Sequence, residues 1–443
     1  MLTKIIVNYL NLNKDFLFNV NLSSHFKIVC LFLILIPFTL ITGPFLPDLF
    51  LTIIATYFLV ISIMYKLIGY YKNKLVIFFL IFYLCILLRG IFSEHLYESL
   101  IDFNGPIFYF RYLFFVLGIQ YLISTHPNLI KIFTLNLSFL LLFTILDGYL
   151  QWITGFNIFG FQSPSTRVTG IFNNEEILGH FLSHIVPLAM GLLVYIYGSK
   201  KKIIFLYMTF LVISEILIFI TNDRSGFLKI FQFTLLLIFL SNNFKVFRIV
   251  SFGISICAIA LILSISNNSK ERYQGTFEDV SSTAVPYMPW TPHHDKQYSI
   301  AISMFTENPL FGKGPQHFRI LCMKAEEYID GCTNHPHNYY FQTLAELGIL
   351  GVVFLFIGFF YVTYILIKQF INIWFIKNKK LKRLPDHLVI LYSLIFIFLW
   401  PLIPHQTFYN NWLNVIIFLP IGFILFFVKQ KNYLSDDKDG TNL

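Results

Sequence analysis

Residues 305–351 read FTENPLFGKGPQHFRILCMKAEEYIDGCTNHPHNYYFQTLAELGILG, the one long polar passage in an otherwise apolar chain. At its centre stands Asn334-His335-Pro336-His337-Asn338, and soon afterwards the sequence turns apolar for the length of a membrane span. The contrast decides the fold class. Hydrophobic residues make up 56% of the 443, charged residues 12%, and the mean hydropathy is +0.69, values far from those of a soluble domain. An integral membrane protein follows, with the polar passage held at a membrane surface. Two imidazoles beside a carboxylate-bearing helix are groups able to move a proton next to lipid.

The formal net charge of +9 does not point to nucleic acid. Basic residues sit in short runs between apolar segments, where they act as topology signals. No cleavable signal peptide precedes the first span, which reads as an uncleaved anchor. Since about 20 apolar residues cross a bilayer, runs of that length predict twelve helices, near residues 28–46, 48–65, 75–93, 105–124, 129–151, 177–198, 203–221, 225–241, 246–265, 348–376, 387–404 and 410–428. With twelve spans, Lys4, Lys14 and Lys27, then Lys66, Lys72, Lys74, Lys131, Lys200 to Lys202, Lys245 and Arg248, the basic run 377–383, Lys429 and Lys431 all share one face. That places both termini in the cytoplasm.

The opposite face receives the loops 94–104, 152–176, Thr221-Asn222-Asp223-Arg224-Ser225, 266–347 and Pro404-His405-Gln406, so function is expected there. Segment 266–347 is too long for a plain connection; helical patterns are predicted in it at 296–306 and 316–329. Three regions result: spans one to nine over 1–265, an outer loop with the histidine motif over 266–347, and three further spans with a cytoplasmic tail over 348–443.

His337 leads the residues that can carry chemistry. Pro336 before it holds the chain extended, Asn338 is placed to cap the helix that follows, and Glu346 is on that helix. Arg224, in TNDRSGF, stands at the edge of hydrocarbon, where a guanidinium pairs with an anion or snorkels; its planar fork suits a diphosphate, and Asp223 is the local alternative. Arg167 lies in STRVTGIFNNEEILGHFL with Glu175, Glu176 and His180. Arg111 and Lys229, inside predicted spans, are expected to reach the interface or to pair with Glu215 or Asp147. Lys296, Arg319 and Lys324 add positive charge to the outer loop. Cys30, Cys85 and Cys257 fall inside spans as small apolar fillers. Cys322 and Cys332 fall on the outer face, where a disulfide would tie the 316–329 helix to the histidine turn. A zinc site made of the two with His335 and His337 is the alternative, with a spacing that fits no standard pattern.

The motifs ENPLFGKGPQHF, NHPHNYYFQTLAELGILGVV, TRVTGIFNNEEILGHFLSHIVPLA and NDRSG together resemble those of the O-antigen ligase family, within the superfamily of bacterial polysaccharide ligases and polymerases. The resemblance implies an all-α, GT-C-like polytopic fold in the bacterial inner membrane. It implies transfer of a glycan from undecaprenyl diphosphate to a lipid A-core acceptor on the periplasmic side, with no metal and no cofactor. His337 is then the general base and Arg224 the diphosphate ligand. Arg167 fits the basic position before the sixth span, and a further arginine of the large loop assists, for which Arg319 and Arg272 both qualify. His335 and Asn338 flank the base as substrate-binding residues.

A polymerase that extends one lipid-linked glycan with another, or a protein O-oligosaccharyltransferase acting on a pilin-like protein, shares this chemistry and differs in acceptor. The short tail SDDKDGTNL favours the ligase over the protein-directed enzyme. A secondary transporter, with polar residues near the midplane and two related halves, fits less well, because polar residues concentrate at one face and no half-repeat is evident. The reading requires Arg224 and His337 to lie within a diphosphate's reach of each other.

Overall fold

A computed structural model describes residues 23–102, 105–163, 165–198, 200–243, 245–281, 291–324, 330–376 and 383–439. Lys4, Lys14, positions 377–382 of the basic run and the last four residues of the tail lie outside that description, as do the side chains of Lys201, Lys202, Lys324 and Lys431. Among the described residues the chain is helical and has no strand, only an isolated bridge between Phe156 and Gln162.

The helices run in the order α1 (Ser24–Thr39), α2 (Phe45–Met64), α3 (Lys74–Ile91), α4 (Leu96–Leu100), α5 (Arg111–Thr125), α6 (Leu129–Thr154), α7 (Leu178–Tyr197), α8 (Lys201–Ile220), α9 (Arg224–Leu240), α10 (Lys245–Ile265), α11 (Asn267–Ser281), α12 (Pro292–Glu307), α13 (His317–Lys324), α14 (Tyr339–Trp374), α15 (Asp386–Phe398) and α16 (Asn411–Asp439). Twelve of them stand where spans are predicted; α4, α11, α12 and α13 lie between. Among the described residues, nine helices are long and apolar enough to cross a membrane, while α1 and α15 are apolar but shorter. The protein is thus an all-α polytopic membrane protein.

Helix α7 is the axis of the bundle. Its residues from Leu178 to Leu192 are buried without a break, His180, Ser183 and His184 among them, and α6, α8, α9 and α15 pack around it. Helix α10, by contrast, turns Ile254, Leu261 and Ile265 outward, a face suited to lipid, where exposure of apolar side chains carries no penalty. The long connections gather at one end of the bundle. There Arg89 at the end of α3 donates to the carbonyls of Gly312 (2.9 Å) and Lys313 (2.8 Å), Ser99 meets His317 at 3.1 Å, and the Asn222 amide donates to Thr166 O at 3.2 Å. At the other end Asn242 bonds Asp386 and Leu384, and Lys245 lies over the Trp374 ring.

The tenth span, predicted to begin at 348, belongs to a helix that begins at Tyr339 and bends at Gly348, whose φ of 65° and ψ of −161° leave the helical region. The bend has a mechanism. Ile349 N–H, which in a straight helix would bond Ala345 O, donates to Pro309 O instead (2.9 Å). The carbonyls so released are taken by the loop: Lys313 N–H donates to Ala345 O and Gly314 N–H to Glu346 O, both at 2.9 Å. The backbone of 309–314 is thereby spliced into the ladder of α14. Side chains are excluded at the splice, since a Cβ on Gly348 would sit 2.5 Å from Leu310 C and one on Gly312 2.4 Å from Glu346 C. These contacts are why FGKG and AELG occur together in this chain.

Substitution Gly348→Ala should therefore cost about 1–2 kcal/mol for the left-handed backbone alone, with the steric clash added. The expected outcome is a lower thermal midpoint in detergent and faster proteolysis within 308–318; a variant that melts and resists protease like the wild type would show that the splice does not hold the loop.

Candidate active site

The spliced loop and α14 present the histidine hairpin. Asn338 caps α14, its Oδ1 accepting from Tyr340 N (2.9 Å) and Phe341 N (3.4 Å) while its Nδ2 donates to Pro401 O at 2.7 Å. Because the chain must turn from the hairpin into that helix, His337 is not extended as Pro336 suggested. Its φ is +51°, a left-handed conformation that costs roughly 1–2 kcal/mol in a residue with a Cβ. The cap on one side and the His405 N–H bonded to His337 O at 2.7 Å on the other hold it there.

The His335 ring lies 4.1 Å from that of His337. Burial first, then the neighbouring His337, takes the His335 imidazole down to about 3. Burial, followed by His293, also lowers the pKa of His337 from its usual value. Both rings are therefore neutral at neutral pH. The hairpin is tied on two further sides. Cys322 and Cys332 form a disulfide with a Cα–Cα distance of 5.3 Å, joining α13 to the hairpin, and Lys296 of α12 pairs with Asp330. With both thiols in the disulfide, the alternative zinc set has no sulfur ligands; among the described residues no group of three or more His, Cys, Asp or Glu is arranged to hold a metal ion.

Two more imidazoles complete this corner, and the sequence reading passed over them. His293 and His294 stand at the start of α12, which begins at Pro292, a turn earlier than predicted. The His294 ring is 5.9 Å from that of His337. The legible signal was the pair Thr291-Pro292, a helix start with Pro at its first position.

The arginines come from three other elements. Asp223 caps α9, accepting from Gly226 N at 3.1 Å and from the Ser225 hydroxyl at 2.9 Å. Arg224 follows the cap and donates to Thr276 Oγ1 of α11 at 2.8 Å. Arg167 pairs with Glu176 at 2.5 Å and reaches Asp223 at 4.0 Å. Arg272 of α11 joins them. Burial alone would raise the Glu176 carboxyl, but the Ser165 hydroxyl, Arg167 and Arg272 together bring it below the usual carboxylate range. Burial likewise raises the Tyr273 hydroxyl, Asp223 adds to the rise, and Arg224, Arg272 and Arg167 oppose it. The charges of three guanidinium groups thus act on Tyr273, and the large-loop arginine among them is Arg272. Arg319 bonds Met323 on its own helix at 3.4 Å.

The intramembrane pairings differ from those expected. Arg111 pairs with Asp48 at 2.7 Å, a carboxylate on the adjacent α2, rather than with Glu215 or Asp147. Lys229 meets His180 Nδ1 at 3.4 Å. Close approach of α9 to α7, where a Cβ on Gly226 would stand 2.7 Å from Gly179 C, brings these two together. Glu215 accepts from the Thr234 and Ser255 hydroxyls, and Asp147 accepts from Ile158 N at 2.8 Å.

A neutral imidazole beside a helix cap, and arginines delivered by separate elements, are groups able to accept a proton and to bind an anion. Residues 208–356 match the O-antigen ligase family model, Wzy_C. No curated protein matches the chain. The matched segment contains Arg224, Arg272, His294 and His337, and it spans both partners of the Gly312–Gly348 splice; Arg167 enters from outside it. The match supports the ligase and polymerase type of superfamily, whose members are glycosyltransferase-like membrane enzymes.

Removing the cap by Asn338→Ala should cost about 1–2 kcal/mol and leave Pro401 O without its donor. Asn338→Asp, which keeps the accepting oxygen, should recover part of the loss in a denaturant or thermal titration; equal loss in both would place the stabilisation in the Pro401 bond instead of the cap.

Proposed function

We propose that this protein is an O-antigen ligase-like glycosyltransferase. It moves a glycan from undecaprenyl diphosphate to a lipid A-core acceptor on the periplasmic face of the bacterial inner membrane, with both termini in the cytoplasm. The observation that supports the reading is a shared neighbour: the His294 ring stands 5.9 Å from that of His337, and the charges of both His337 and Arg224 act on it.

The chemistry asked of the site is a single displacement. The acceptor oxygen forms a bond to the anomeric carbon, the bond from that carbon to the phosphate oxygen breaks, and the electron pair leaves with the diphosphate. His337 takes the hydroxyl proton. Arg224, Arg167 and Arg272 stabilise the charge growing on the departing group. A diphosphate is a good leaving group, so no strong acid is needed, and the anomeric configuration inverts. No step calls for a metal or a cofactor. His335 and Asn338 fix the base: one packs against its ring, the other fixes its backbone through the cap.

The protein in liposomes with an undecaprenyl diphosphate-linked oligosaccharide should add mass to lipid A-core. A second lipid-linked glycan and a pilin, offered separately, distinguish the polymerase and the protein-directed enzyme. His337→Ala should lower the transfer rate by about 10²–10⁴; unchanged transfer would sink the assignment.

The pH profile offers an independent check. A base whose pKa is lowered by burial and a neighbouring imidazole remains unprotonated to more acid pH. The acid limb of kcat/KM should therefore fall below the ordinary histidine value of about 6.5. A limb above that value would contradict the placement of His337.

A further inference from the structure

The proposed roles of His337 and Arg224 leave His294, a close neighbour of His337 on which the charge of Arg224 also acts, without a chemical task. Its ring comes from the first turn of α12 and lies 5.9 Å from the His337 ring at an interplanar angle of 80°. The charge of Arg224 also acts on it. The side chain is oriented from behind. Its Nδ1 is 3.0 Å from Thr291 Oγ1, and its ring lies along that of Tyr298 at 6.0 Å. Tyr298 in turn stacks on Phe341 at 4.1 Å, within the first turn of α14. Helix α12 is therefore registered against the same helix that carries the His337 hairpin.

When the Thr291 hydroxyl gives its proton to Nδ1, the tautomer is fixed and Nε2 bears a hydrogen. Among the described residues Nε2 makes no hydrogen bond. We propose that His294 is a further catalytic residue, whose Nε2–H donates a hydrogen bond to the phosphate oxygen that separates from the anomeric carbon. The proposal rests on the glycosyl-transfer reading above and gives it a donor at the atom where charge develops, beside the base on the acceptor and within the influence of the arginine on the diphosphate.

The ring gives a hydrogen bond and keeps its proton. Burial, with the positive influence of His337, His293 and Arg224, takes His294 down to about 4, so it enters the reaction neutral. A neutral donor is what this position demands. A lysine there would repel Arg224 and would hold His337 protonation-averse by charge as well as burial, whereas an imidazole supplies the directed N–H without a second full charge.

The test uses the full chain in liposomes, with undecaprenyl diphosphate-linked oligosaccharide and whichever of the three acceptors the wild type uses. His294→Phe keeps the aromatic contact with Tyr298 and removes the donor; His294→Gln keeps an N–H donor. The expected result is a fall in kcat of roughly a hundredfold for Phe, little change in the donor KM, substantial recovery with Gln, and an acid limb that stays where His337 sets it. Wild-type turnover in the Phe variant overturns the inference alone. So does a loss that Gln does not relieve, including the case in which the Phe variant fails to fold and Gln decides by itself. If the wild type transfers to none of the acceptors, the inference and the functional reading fall together.

Discussion

The backbone of residues 309–314 is spliced into the hydrogen-bond ladder of α14 at Gly348, and the arrangement of the active corner depends on that exchange. A helix bend normally leaves carbonyls without donors, which in a bilayer costs several kcal/mol each. Here the donors are supplied by the loop, while the helix donates back to Pro309. Neither partner is satisfied without the other. The first turns of α14 are thereby held as a platform distinct from the span below, with the Asn338 cap at its edge and His337 one residue beyond.

Three layers of constraint then converge on His337. The splice fixes the platform, the cap and the His405 N–H fix the backbone of His337 in a left-handed conformation, and the Cys322–Cys332 disulfide with the Lys296–Asp330 pair fixes the hairpin as a whole. Strain in a residue with a Cβ persists only where its surroundings over-determine it. On the arginine side the same economy appears: Asp223 caps α9, and Arg224 donates to Thr276 on α11.

Much of this was legible in the chain because membrane insertion is a one-dimensional constraint. A run of apolar residues long enough to cross hydrocarbon needs no knowledge of its neighbours, so each of the twelve predicted spans overlaps a helix, although a polar turn extends the tenth back from 348 to Tyr339. The cap at Asn338 was equally local. The identity of partners was not. Arg111 found Asp48 and Lys229 found His180 because of how α2 meets α5 and α7 meets α9, and nothing in the spacing of Glu215 or Asp147 marks them as otherwise engaged. His293 and His294 were missed because a polar helix start carries no apolar period to announce it.

The sequence by itself determined an all-helical membrane protein with a polar island near its end, and singled out His337, Arg224 and Arg167, since hydropathy, helix punctuation and costly charges near lipid are properties of short stretches. Tertiary structure alone decided that the charges of Arg272, Arg224 and Arg167 all act on Tyr273, that His294 stands beside His337, and that Gly312 and Gly348 meet at the splice. Those are contacts across tens to hundreds of residues, set by which helices pack together, and a distance of that kind leaves no periodic trace in the chain.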